Sequence, residues 1–187
     1  MDDGFAREDP RVQRAVDFLL SFAQPDGGIY DTVLVSYNTS ICLSALARVD
    51  RDRFDGEYIQ PAVRFLRTLQ WSEDAADRDD TDAVTRDHPF YGGVGYGNSN
   101  RPDNSNLNLM LQALHDAGVP ADDPAFERAL VFLQRTQMVD QFNDMDYAEG
   151  SNQGGFIYAT SPDGSQLGIG ESKAGEIDES VNGMPVS

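Results

Sequence analysis

A cluster of aspartates near the middle of the chain is the clearest candidate for acid chemistry. Asp77, Asp79 and Asp80 stand almost side by side in the run Asp77-Arg78-Asp79-Asp80-Thr81. Neighbouring carboxylates resist joint ionisation, so one of them keeps its proton and can act as a general acid. The residues around the run are mostly acidic as well, which is typical of a hydrated loop. Two interpretations follow, a proton donor or a solvated acidic insert, and the surrounding composition favours the insert.

Side chains that could hold a metal or a cofactor are sparse. Cys42, His88 and His115 are not spaced as zinc ligands. The acids between residues 144 and 149 offer oxygens to calcium but lack the glycine and the spacing of a calcium loop. We therefore expect no metal and no cofactor.

Aromatic side chains gather where the chain leaves its glycine turns and enters the next helix. The candidates for ligand contact are Tyr30, Tyr37, Tyr96, Phe156 and Tyr158. Their rings offer apolar area and, through the ring quadrupole, attraction for a positive charge. They either line a cavity or pack beneath the turns, and the sequence leaves both roles open.

These candidates belong to a pattern that occurs three times. Each copy has an alanine, two apolar residues and a glutamine, followed by two glycines. The copies are Ala15, Leu19, Leu20, Gln24 with Gly27 and Gly28; Ala62, Phe65, Leu66, Gln70 with Gly92 and Gly93; and Ala129, Phe132, Leu133, Gln137 with Gly154 and Gly155. Such a repeat indicates one supersecondary unit that stacks on its neighbours to bury its apolar face.

Helical periodicity divides each unit into an outer and an inner helix. The outer helices are amphipathic, and two begin at Asp9-Pro10 and Asp123-Pro124, an N-cap followed by proline. Inner helices are predicted at 35–49 and 105–117, apolar around most of their surface. We place the repeats at about 10–49, 57–118 and 124–160 of a single domain. The third lacks an inner helix, and 159–187 form a polar, irregular tail.

The repeated glutamines and glycines are predicted to be scaffold residues rather than catalytic ones. A glutamine at the end of an outer helix can reach backbone groups that the helix leaves unpaired. Paired glycines permit a positive φ and a close backbone approach where the chain reverses.

The repeat resembles the QW repeat of squalene and hopene cyclases and of the related protein prenyltransferases. The resemblance covers roughly residues 10–160, and in the third copy it reads Arg128-Ala129-x-x-Phe132-Leu133-x-x-x-Gln137, then Gly154-Gly155-Phe156. Ile29, Val94 and Phe156 stand where the family has tryptophan. The resemblance implies an all-α fold, an α/α toroid of outer and inner helices around a cavity. With five helices we expect it to be incomplete and open.

The resemblance also implies a function. The Asp77 run matches the Asp-x-Asp-Asp-Thr acid motif of the cyclases, and the ligand implied is an isoprenoid or another apolar small molecule. We expect a cyclase-like or prenyltransferase-like repeat protein, a fragment that is not catalytic alone, completed by further repeats or by a homo-oligomer. Two alternatives stay open. One is a non-enzymatic toroid module that binds a ligand or a protein, and the other is a fragment of an α/α-barrel polysaccharide lyase or glycosidase.

The net charge of the chain disfavours some classes of binding partner. The chain has 32 acidic and 14 basic side chains and a net charge of −18. This charge argues against nucleic acids and anionic membrane surfaces. No apolar run approaches the ~20 residues that span a bilayer, and no hydrophobic segment of a signal peptide follows the acidic start. A cytoplasmic protein is the expectation.

Overall fold

A computed structural model describes residues 6–74, 84–97 and 101–164 of the chain. The structure is largely helical, with a small antiparallel sheet near the end of the described part. The helices are α1 (Pro10–Leu20), α2 (Val35–Phe54), α3 (Gln60–Leu69), α4 (Asn104–Asp116) and α5 (Pro124–Thr136). The strands are β1 (Gln137–Val139) and β2 (Asn152–Phe156), with a 3-10 turn (Asp146–Ala148) between them.

The outer helices begin where the sequence predicts. Asp9 caps α1 by accepting the backbone N–H of Arg11 at 2.8 Å. Asp123 caps α5 in the same way, with the N–H of Ala125 at 3.0 Å. Each cap precedes a proline, whose missing N–H would have no partner inside the first turn. The capping prediction is confirmed at both positions.

The inner helices also agree with the predicted ranges. α2 has a non-helical residue at Asp50 (φ −164°), so its regular part ends near residue 49. A π-helical turn (Asp55–Ile59) then leads directly into α3. α4 ends at Asp116, and Gly118 follows it with a φ of +79°. This is the left-handed glycine that commonly ends a helix.

The core lies chiefly between α2 and α4, which share the most extensive contact between two helices. Its fully buried members include Leu43, Leu46, Leu107, Met110 and Leu114. The prediction of apolar residues around most of each inner helix is wrong for α2. There, Ile41 is 42% exposed while Ser36 and Ser40 are buried.

The outer helix of the first unit differs from the other two. In α1 only Val16 is buried, and Ala15 of the predicted apolar stripe is exposed. The equivalent alanines of α3 and α5, Ala62 and Ala129, are 0% and 1% exposed. The difference arises because α3 and α5 pack on a preceding unit, and among the described residues α1 has none before it.

The contact between successive units depends on the first glycine of each turn. Gly27 has a φ of +94°, and a methyl group there would lie 2.6 Å from the carbonyl oxygen of Pro61 in α3. Gly92 has a φ of +82°, and a methyl group there would overlap the carbonyl group of Arg128 in α5. Each turn therefore packs against the backbone of the next outer helix, as only glycine permits. We call this contact the junction.

The small sheet departs from the all-α expectation. In the first unit, outer helix and turn are joined by a single antiparallel bridge, Ala23 to Ile29. In the third unit a longer insert separates Gln137 from the glycines, and the pairing extends into β1 and β2. Gln137 lies opposite Phe156 in the register. The sheet is an enlarged version of the bridge that the first repeat already makes.

The junction predicts that replacing glycine by alanine lowers the free energy of unfolding by different amounts at two positions. Gly92→Ala and Gly154→Ala both place alanine at a similar positive φ, +82° and +78°, at a cost of about 1–2 kcal/mol each. A methyl group at Gly154 meets nothing within 4 Å, whereas at Gly92 it meets α5. We expect Gly92→Ala to lose a further ~1–3 kcal/mol in urea unfolding. Equal losses would contradict the junction.

Candidate functional site

Three tyrosines meet near the start of the inner helices. Tyr37 is in the first turn of α2, Tyr96 follows the Gly92 turn, and Tyr158 follows β2. The rings of Tyr37 and Tyr96 stack with centroids 6.2 Å apart and planes 29° apart. The hydroxyl of Tyr158 interacts with that of Tyr96. We call these three half-buried side chains the tyrosine edge.

Backbone hydrogen bonds hold the tyrosine edge in place. The backbone N–H of Ser36 in α2 donates to the carbonyl of Tyr96 at 3.3 Å. The N–H of Asn104 donates to the carbonyl of Tyr158 at 3.0 Å, and its side-chain amide donates to the carbonyl of Ile157 at 2.8 Å. The loops that carry two of the tyrosines are thus tied to the first turns of α2 and α4.

Polar groups surround Tyr158. Asp103, the N-cap of α4, is 1% exposed and accepts the backbone and side-chain N–H groups of Asn106 at 2.9 and 2.8 Å. The Tyr158 hydroxyl interacts with Asp103 and Ser105, and the Arg101 guanidinium lies 5.6 Å from the centre of its ring. Burial, above all, raises the pKa of Tyr158 to about 12, and the Asp103 carboxylate acts in the same direction. The part of the tyrosine edge around Tyr158 can therefore donate and accept hydrogen bonds.

An apolar, strained segment precedes the first turn of α2. Leu34, its N-cap, has a φ of +55°, which costs a non-glycine residue about 1–2 kcal/mol. The side chains of Val33 and Leu34 are 57% and 39% exposed. Strain of this kind is often found where a binding site requires it.

The structure gives the other two aromatic candidates different surroundings. Tyr30 stacks on Phe65 of α3 with centroids 5.5 Å apart, and its hydroxyl donates to Asp26 at 2.6 Å. It packs between two units. Phe156 lies in β2 opposite Gln137 and is 37% exposed. Three of the five predicted ligand residues therefore come together.

Each repeated glutamine hydrogen-bonds to its own glycine turn. Gln24 donates to the carbonyl of Tyr30 at 2.7 Å, and Gln137 donates to that of Gly154 at 3.2 Å. Gln70 is 1% exposed and donates to Gly92 and to Ala125 of α5, both at 2.9 Å. The amide spans the gap between helix and turn, and in the second unit it also crosses the junction.

Asp77, Asp79 and Asp80 lie outside the described residues, as does the tail from residue 165. Within the described ranges, no group of three or more His, Cys, Asp or Glu side chains could hold a metal ion. Burial raises the pKa of the half-buried Cys42 thiol. No helix in the described part has the length and apolar character to cross a membrane.

Sequence reasoning missed a buried cation that orders the segment before the second glycine turn. Arg135 of α5 is 2% exposed and donates to the carbonyls of Arg86 and His88 and to the Asp144 carboxylate, each at 2.7 Å. His88 in turn stacks on Trp71 with ring centroids 5.3 Å apart. An arginine in the last turn of an amphipathic helix gives no sign of burial in the sequence.

The sequence analysis predicted neither the capping role of Asp103 nor the left-handed conformation of Leu34, for different reasons. An aspartate before Asn104-Ser105-Asn106 is an N-cap signal, and it could have been found. The left-handed Leu34 has no signal, because leucine rarely adopts that conformation.

No protein-family model matches the chain, and neither does any curated protein or solved structure.

The stacking of His88 on Trp71 predicts that the fluorescence of Trp71, the single tryptophan, changes at acidic pH. Burial and the Arg135 charge lower the pKa of His88. As the pH falls below about 6.5, the unfolded chain therefore takes up this proton first, and the free energy of unfolding decreases. We expect Trp71 fluorescence to follow the protonation. His88→Gln should abolish the transition and His115→Gln, at an exposed histidine, should retain it. A transition that survives His88→Gln would refute the assignment.

Tyr158 predicts a second pH dependence, at alkaline pH. Because its pKa is raised to about 12, the folded chain holds the phenolic proton longer than the unfolded chain does. The free energy of unfolding should therefore fall between about pH 10 and pH 12. Burial also raises the pKa of Tyr147, so the measurement is the difference between wild type and Tyr158→Phe. An unchanged alkaline slope in that variant would contradict the assignment.

Proposed function

We propose that this chain is a non-catalytic binding module of the α/α-toroid type, and that its tyrosine edge takes an isoprenoid or another elongated apolar molecule with a hydroxyl end. The order of elements supports the toroid part. Outer helices α1 and α3 each lead through a glycine turn to an inner helix, and inner helices α2 and α4 pack on each other. This is the arrangement of a helical-hairpin repeat.

The proposal depends chiefly on one observation, the change from apolar to polar side chains along the tyrosine edge. Exposed Val33 and Leu34 come before the stacked rings of Tyr37 and Tyr96, which offer apolar area. The hydroxyl of Tyr158 then stands with Asp103 and Ser105, which are polar. An apolar chain would lie on the first part and a terminal hydroxyl would reach the second.

Binding is favoured over catalysis by the role of the carboxylate at this edge. Both oxygens of Asp103 already accept N–H groups of Asn106, and one of them caps α4. A group held in this way orients its neighbours and is poorly placed to donate a proton to a substrate.

The polar end favours a second candidate, a carbohydrate ligand. A phenol, a carboxylate, a serine and the Arg101 guanidinium together suit the hydroxyls of a sugar. This would agree with the lyase or glycosidase alternative, and the two ligand classes differ in how much apolar area they need.

Calorimetric titration with farnesol and with a neutral oligosaccharide tests both candidates. We expect farnesol to bind, and Tyr96→Ala to weaken it roughly tenfold or more through the lost ring area. Tyr158→Phe should cost only a few-fold, about one hydrogen bond. Phe142→Ala removes a 51% exposed ring outside the tyrosine edge and should change nothing.

The outcomes separate the candidates. Binding of the oligosaccharide alone would favour the carbohydrate ligand, and binding of neither would contradict the site. Formation of a cyclised product, followed by mass spectrometry, would overturn the non-catalytic part.

A further inference from the structure

The junction occurs twice within the described residues, and both copies use equivalent positions of the repeat. The first glycine of a turn meets the residue directly before the repeated alanine, and this pairs Gly27 with Pro61 and Gly92 with Arg128. The repetition makes the junction a property of the unit.

The second glycine of each turn meets the repeated phenylalanine of the next outer helix. A methyl group at Gly28 would lie 3.0 Å from the ring of Phe65, and one at Gly93 would lie 2.8 Å from that of Phe132. These rings are 3% and 0% exposed. In a complete junction, the ring of one phenylalanine therefore packs against the two consecutive glycines of the preceding turn.

The first unit carries the phenylalanine half of a junction, and no glycine turn among the described residues covers it. Phe18 stands three residues after Ala15, as Phe65 and Phe132 stand three residues after Ala62 and Ala129. It is 64% exposed, and Ala15 is exposed as well. Phe22, one turn further along, lines a groove of about 320 Å³ together with Leu19 and Ile29. We call Ala15, Phe18 and Phe22 the head face.

The third unit carries the glycine half of a junction, and no helix of the described part of the chain packs against it. Gly154 has a φ of +78°, as in the other turns, yet a methyl group there would meet nothing within 4 Å. Phe156 is 37% exposed, whereas Ile29 and Val94 at the same repeat position are 1% and 0% exposed. We call the turn with Gly154 and Phe156 the tail face.

We propose that the tail face binds the head face of a second copy of this chain, reproducing the junction between molecules. The first glycine of the tail turn has a positive φ similar to those of the two turns that accept an outer helix, and α1 is an outer helix with its junction side exposed. The contact is head-to-tail, so it leaves one free face at each end and assemblies grow beyond the dimer. Since each copy carries a charge of −18, salt should strengthen the association by screening repulsion.

Sedimentation velocity with complementary variants tests the proposal. Phe18→Asp disables the head face, and Gly154→Asn fills the space at the tail face with a residue that tolerates a positive φ. We expect wild type to associate with concentration and salt, and each variant alone to bind itself at least roughly tenfold more weakly. An equimolar mixture of the two should give a dimer and nothing larger, because one intact head meets one intact tail.

Controls keep the test specific. Phe142→Asp changes another exposed phenylalanine and should associate like wild type. Phe156→Asp is a second tail variant, used if circular dichroism shows that Gly154→Asn does not fold. A monomeric wild type at high concentration and salt, association unaffected by Phe18→Asp, or a mixture that stays monomeric would each overturn the proposal.

Discussion

The structure depends on the close approach between each glycine turn and the backbone of the following outer helix. At Gly27 and Gly92 there is no room for a Cβ atom, so the spacing between units is set by backbone contact and hardly at all by side-chain volume. Gln70 then crosses the same contact with hydrogen bonds to Gly92 and Ala125. A larger residue in the turn would push the outer helices apart and open the core between α2 and α4.

The candidate site is a consequence of that spacing. The turns that pack on the outer helices also carry the chain back toward the inner helices, and they bring Tyr96 and Tyr158 to the first turns of α2 and α4. The residues of the tyrosine edge are distant in sequence, and hydrogen bonds from Ser36 and Asn104 bring them together. The site would therefore respond to any change in the stacking of the units.

Arg135 extends the same scaffold to the irregular segments. It brings the carbonyls of Arg86 and His88 and the carboxylate of Asp144 to the end of α5. A buried guanidinium is unfavourable without partners, and these oxygens offset the loss of water. The hydrogen bonds that Arg135 donates to Asp144 also lower the pKa of that carboxyl. One side chain thus orders two segments that have little regular structure.

The sequence by itself determined the helices, their order and the Asp-Pro caps of α1 and α5. Those features depend on local causes, namely the helical period of apolar residues, the Asp-Pro starts and the glycine stops. The tertiary structure decided which equivalent positions are buried. Phe18 and Phe132 each stand three residues after the repeated alanine, yet among the described residues only Phe132 has a glycine turn that covers it. It also decided that Tyr37, Tyr96 and Tyr158 meet while Tyr30 packs between units. Burial and proximity depend on neighbours distant in the chain, which a local pattern does not specify.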